Sequence, residues 1–66
     1  MESIGEKLPA EQKRVREILE HYKEIGPAGF FGAAMIEQSL AAADKAVISG
    51  DLSAMIAAYN DLVEIE

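Results

Sequence analysis

Ile25-Gly26-Pro27-Ala28-Gly29-Phe30-Phe31-Gly32 interrupts an otherwise strongly helical chain of 66 residues. From Gly26 to Gly32 it spends four helix-weakening residues on seven positions, and it adds two adjacent phenylalanines that a bare surface loop has no use for. Pro27 lacks an N–H and drives the residue before it away from helical geometry, so a helix arriving from upstream ends at Gly26. With Pro27 next in line the two-bond glycine ending cannot form, and only a bond from the Gly26 N–H remains. A second helix opens between Pro27 and Phe31. Gly29 and Gly32 each cost about 1 kcal/mol relative to alanine inside it, which the close approach of a helix or of a ligand would offset.

Upstream, Val15, Ile18, Leu19, Tyr22 and Ile25 fall on one stripe of a helix opposite a charged face. Pro9 suits a first helical position and Glu11 the first turn, so the pattern predicts a helix over 9–25. Residues 1–7 read as a flexible arm, in which Ser3-x-x-Glu6 resembles a capping box. Downstream, Gly29, Ala33, Ile36, Leu40, Ala43 and Val47 form a seam of mostly small residues, while Phe31, Met35 and Ile48 lie on other faces. A helix apolar on several sides is usually central, so the helix over 28–49 is expected in the middle. Ser49-Gly50-Asp51 offers a left-handed glycine ending followed by a capping carboxylate. A third helix over 52–64 carries Leu52, Met55, Ile56, Tyr59, Leu62 and Val63. Glu64 and Glu66 oppose its dipole, which predicts fraying at that end. The expected fold is all-α: one domain over 8–66, a three-helix protomer with helices two and three as an antiparallel hairpin.

A chain this short buries only about 60% of its unfolded surface. It has no cysteine with which to staple itself. Phe30 and Phe31 diverge by about 100° on a helix, more than one small core accommodates. Both considerations predict a homo-oligomer, a dimer or larger. The apolar runs are too short to span a bilayer, and Met1-Glu2-Ser3-Ile4 does not open like a signal peptide, so a cytoplasmic protein is expected.

Net charge is −6 and unevenly spread. Residues 9–25 balance to zero, whereas residues 26–66 hold Lys45 alone against six carboxylates. Duplex nucleic acid needs clustered cations and is not an expected partner. Catalytic, metal-binding and cofactor readings find no footing. His21 is the only histidine, and Ser39, Ser49 and Ser53 stand in no nucleophile-elbow setting. Glu17 with Glu20 and Asp61 with Glu64 are helix-surface pairs of the kind usually solvated.

Gly26 to Gly32 supports two readings. In one it is a tight turn whose glycines admit a packed neighbour, with the phenylalanines in the core. In the other, the glycine-rich helix start turns backbone N–H groups and the positive dipole end toward an anion. Phe30 and Phe31 would then stack on a base, while Arg16, His21 or Lys23 of another protomer supplies charge. The candidate ligand-binding residues are accordingly Arg16, His21, Lys23, Gly26, Gly29, Phe30, Phe31 and Gly32.

Taken together, Ile25-Gly26-Pro27-Ala28-Gly29, Gly32 to Gln38, Ala43 to Val47, Ser49-Gly50-Asp51 and Ala54-Met55-Ile56 resemble small uncharacterised helical proteins encoded by phages and prophages of proteobacteria. The resemblance spans about residues 8–63 and implies a context, since short accessory phage proteins often blunt host defences. Some sequester cyclic nucleotide signals as helical oligomers; others cover a surface of a host protein. The expected function is therefore non-enzymatic binding of a small anionic, nucleotide-like ligand in a helical oligomer. The alternative is an antagonist or adaptor that docks on a host protein through the acidic, apolar-edged face of helices two and three, with Asp44, Asp51, Asp61 and Glu64 steering it. A purely structural oligomer is a third possibility.

Overall fold

The computed structural model describes residues 3–66. It is all-helical, with α1 over Ile4–Glu24, a single 3-10 turn over Pro27–Gly29, α2 over Phe30–Ser49 and α3 over Leu52–Val63. Lys23 faces Glu37 and Arg16 faces Asp44, so α2 returns antiparallel to α1. Lys7 lies over Tyr59 and Arg14 reaches Leu62 and Ile65, so α3 runs parallel to α1. Each helix packs against both of the others. This corrects the expectation of a central α2: the bundle is triangular and no helix is enclosed.

The first helix begins earlier than its local signals predict. Ser3 takes the N-cap position with an extended backbone, and its carbonyl accepts the N–H groups of Glu6 and Lys7 at 3.0 and 2.9 Å. Its hydroxyl makes no capping bond, so the suspected capping box is not completed and the two bonds are the helix's own first-turn hydrogen bonds. The arm expected over 1–7 is thus helix from Ile4 onward; Met1 and Glu2 lie outside the described residues. Pro9 sits inside α1, not at its start, and cannot donate to the Gly5 carbonyl. Gly5 is exposed, so water can take that place. What outweighs the missing bond is burial. Leu8 is fully enclosed and Ile4 packs against the core.

The core draws Leu8, Val15 and Leu19 from α1, Ala33, Ile36, Leu40, Ala43 and Ala46 from α2, and Ala58 and Leu62 from α3. The α2 seam follows its expected register up to Ala43, after which Ala46 and not Val47 turns inward. On α3 the apolar face divides. Leu62 is buried and Met55 and Tyr59 are half-buried, but Leu52, Ile56 and Val63 are exposed. Small residues on the inner face of α2 bring the helices together and leave little interior volume, so the larger apolar side chains remain outside.

Polar contacts fix the register. Gln12 is buried on α1, and its amide donates to Asp44 Oδ1 at 2.7 Å; Arg16 Nη2 donates to both oxygens of the same carboxylate at 2.8 and 2.9 Å. Both junction signals after α2 take the expected form. Gly50 is left-handed at φ 69° and donates to the Ala46 and Val47 carbonyls, while Asp51 accepts the Ala54 N–H at 3.3 Å. The end of α3 is not left to the repulsion of Glu64 and Glu66. Arg14, itself paired with Glu11, donates from Nη1 to the Ile65 carbonyl and from Nη2 to the Leu62 carbonyl, each at 2.9 Å. A cation from α1 thereby caps the negative end of a neighbouring helix.

No described helix is long and apolar enough to cross a membrane. If Arg14 clasps α3 energetically as well as geometrically, Arg14→Met should lower unfolding free energy by about 1–2 kcal/mol, the scale of hydrogen bonds from a charged donor discounted for its partial exposure. Arg14→Lys, which keeps the charge but not the two-pronged geometry, should recover only part of it. Urea denaturation followed by circular dichroism measures both; a loss equal to that of an exposed control arginine would show the clasp to be idle.

Candidate functional site at the α1–α2 turn

The turn is built around Tyr22. Gly26 adopts φ 90° and ψ −152°, a region open in practice to glycine alone. Its N–H donates to the Lys23 carbonyl at 3.1 Å, three residues back, so the helix tightens in its last turn. Gly26 in turn accepts the Gly29 N–H at 2.8 Å, and Pro27 opens the 3-10 turn between them. Gly29 has an ordinary negative φ and needs to be glycine for a different reason. A Cβ there would overlap the Tyr22 carbonyl oxygen and stand 3.1 Å from its carbon. A Cβ on Gly32 would come within 2.6 Å of Tyr22 Cε2 and 2.7 Å of Cδ2. The tyrosine backbone thus rests on one glycine and its ring on the other. At its far end the Tyr22 hydroxyl donates to the Glu66 carbonyl at a long 3.5 Å, so the ring bridges the start of α2 and the chain's C-terminal segment.

With the glycines explained by Tyr22, the phenylalanines stand apart. Phe30 is 58% exposed and Phe31 80%, and with Ile25 and Met35 they give this end of the bundle an apolar surface. Of the two readings of this turn, the one that places the phenylalanines in the core does not hold within the protomer. The inward positions of α2 are held by Ala33 and Ile36, and the two adjacent rings point away from that face.

The candidate residues are only partly brought together. Gly26, Gly29, Phe30, Phe31 and Gly32 share the turn by chain continuity. Lys23 is close in register but is engaged by Glu37 at 3.6 Å. Arg16 is held by Asp44, which lies about 18 Å beyond Gly32 along α2. His21 is exposed and has no ion pair or side-chain hydrogen bond among the described residues. Within one protomer the three cationic candidates do not converge on the helix start.

Elsewhere, a shallow depression of about 470 Å³ runs along α1, lined by Pro9, Gln12, Lys13, Arg16, Glu17 and Glu20. All six residues belong to one helix, and the two cations face two carboxylates, so it selects neither charge. Asp44 turns toward α1, whereas Asp51, Asp61 and Glu64 are exposed on or beside α3. Of the acidic residues grouped by the sequence, Asp44 is thus engaged by α1 and the other three are exposed. The exposure of Leu52, Ile56 and Val63 is not legible from their spacing, which is that of a buried stripe; the signal that could have raised suspicion is the abundance of alanine on α2, too small a partner for both faces of α3.

No protein-family model, curated protein or solved structure matches this chain. The functional reading therefore rests on the geometry.

The Tyr22 arrangement makes a sign-changing prediction. Gly32→Ala should destabilise the wild-type fold by about 1–3 kcal/mol through overpacking. With Tyr22→Ala as background, the same change should become neutral or stabilising, because alanine is the better helix former by about 1 kcal/mol. A thermal-denaturation double-mutant cycle reads the coupling directly; additive effects would mean that the ring does not occupy the space above Gly32.

Proposed function

We propose that this protein acts by association with protein surfaces, itself included, and not by catalysis. The observation that carries the reading is the amount of large apolar side chain left outside so small a bundle. Phe31 and Ile48 are 80% and 86% exposed, and Ile25, Phe30, Met35, Leu52 and Ile56 are each exposed as well. Scattered apolar residues are ordinary on a surface, but contiguous apolar faces mark interaction sites. The protomer is elongated, 38 × 21 × 16 Å. It presents 4538 Å² of surface, where mass scaling gives about 4,100 Å² for a compact monomer of 7.1 kDa. A homo-oligomer would hide part of this apolar surface, and a role in covering a host protein is what the phage resemblance implies.

Sequestration of a nucleotide-like anion is the rival. In its favour is the helix start beside two exposed rings. Against it, Arg16 and Lys23 already neutralise Asp44 and Glu37, so an anion must compete with carboxylates for both cations.

Native mass spectrometry of protein recovered from a bacterial host separates the readings. An oligomer free of small-molecule mass, whose assembly is lost in Phe31→Ser or Ile48→Ser with helicity intact, is the expected result. An added mass in the nucleotide range that disappears with Arg16→Glu would transfer the proposal to the anion site. A monomer that stays single at every concentration would remove the self-association part.

A further inference from the structure

The outward stripe of α2 has a self-complementary order. Phe30, Ala34, Glu37, Ala41, Lys45 and Ile48 follow one another at spacings of four, three, four, four and three, a single line down one side of the helix. All six are exposed. Counted from Ala41, Glu37 lies four residues before and Lys45 four after, while Ala34 lies seven before and Ile48 seven after. Both positions on one side of Ala41 therefore have a complement at the same distance on the other: an acid for a base, a small residue for a large one.

We propose that a second copy of this chain docks on this stripe, its α2 antiparallel to the first, with the two-fold axis passing beside Ala41. This rests on the association reading above and names its partner and register. In an isologous contact residue i meets j and j meets i. Glu37 then meets Lys45 of the second copy, and Ile48, the most exposed large apolar side chain, enters the space over Ala34. Ala41 faces its own copy and lets the helices approach to about 8 Å. Phe30, about 16 Å from the axis, extends the apolar contact past the opposing Ile48.

Charge decides between this occupant and a foreign one. Lys45 has only Ala41, Ala42, Ile48 and Ser49 one turn away on its own helix, and it makes no ion pair among the described residues. It is the one cation in residues 26–66. A lone ammonium on an apolar face calls for an opposing carboxylate, and the same stripe carries one at the symmetry-related position. Glu37 can exchange its loose intramolecular pairing with Lys23 for it. Its contact with Lys23 is 3.6 Å, beyond hydrogen-bonding distance, and its side chain remains 54% exposed. The stripe is neutral as a whole, so a strongly basic or strongly acidic partner gains nothing there that a second copy does not, although the molecule carries a net −6.

Charge reversal tests the register. In sedimentation equilibrium on the full chain, wild type should be a dimer. Glu37→Lys and Lys45→Glu should each weaken dimerisation by about tenfold or more, since each puts like charges together twice across the axis. The double variant Glu37→Lys/Lys45→Glu should restore it, with circular dichroism confirming that all four proteins are equally helical. The chain has no cysteine, so Ala41→Cys supplies an independent readout. Two copies of the introduced thiol beside a two-fold axis should oxidise rapidly to a disulfide dimer, and Ser53→Cys on α3 should not. A dimer that the double reversal fails to restore, or that cross-links equally at both positions, would overturn this register and leave the association reading standing. A wild type that remains monomeric would overturn both the register and self-association.

Discussion

The close approach of α2 to α1 is the constraint on which this structure depends. It is made by small residues on the inner side of α2 and the turn before it, Gly29, Gly32, Ala33, Ala43 and Ala46, with Ile36 and Leu40 as the only bulky members of that face. Dispersion and the hydrophobic effect reward contact, and small side chains let backbones make it at short range. The interior this leaves is thin. Phe30, Phe31, Met35 and Ile48 lie on the other faces of α2, which neither α1 nor α3 covers, and stay in solvent.

A thin core specifies register poorly, and polar contacts supply what it lacks. Asp44 is held from α1 by Gln12 and Arg16 together, which locks the sliding of α2. Arg14 does the same for α3 by gripping two carbonyls at its C-terminal end. Both fastenings originate on α1, the longest helix, and both sit where a one-turn slip of about 5 Å would break every bond at once. Hydrogen bonds of this kind contribute modest net free energy but discriminate sharply between alternative packings.

The same geometry bears on function. A bundle whose arginines are committed to internal partners has few cations left to recruit an anion, and one with several exposed apolar stripes gains from covering them. On the association reading proposed above, contacts at the surface are chiefly apolar, with charge orienting them.

Local rules sufficed wherever the backbone itself was the issue. Pro27 and Gly26 end a helix through their own conformational restrictions, and Gly50 and Asp51 end one and start the next in the same way, whatever surrounds them. Three helices, their order and the buried seam of α2 as far as Ala43 follow from such signals and from periodicity. The start of α1 did not, because Pro9 reads locally as a beginning while the burial of Leu8 and Ile4 extends the helix past it. Nor did the fate of Phe30, Phe31, Leu52 and Ile56: periodicity places a residue on a stripe but does not say whether another helix has room to cover it. The role of Gly29 and Gly32 as seats for Tyr22, and that of Arg14 as a cap for a helix far along the chain, exist only in three dimensions. Sequence thus determined where the chain turns, since that depends on the dihedral freedom of single residues. Tertiary structure decided what each helix hides and what it offers, since that depends on the volume its neighbours leave.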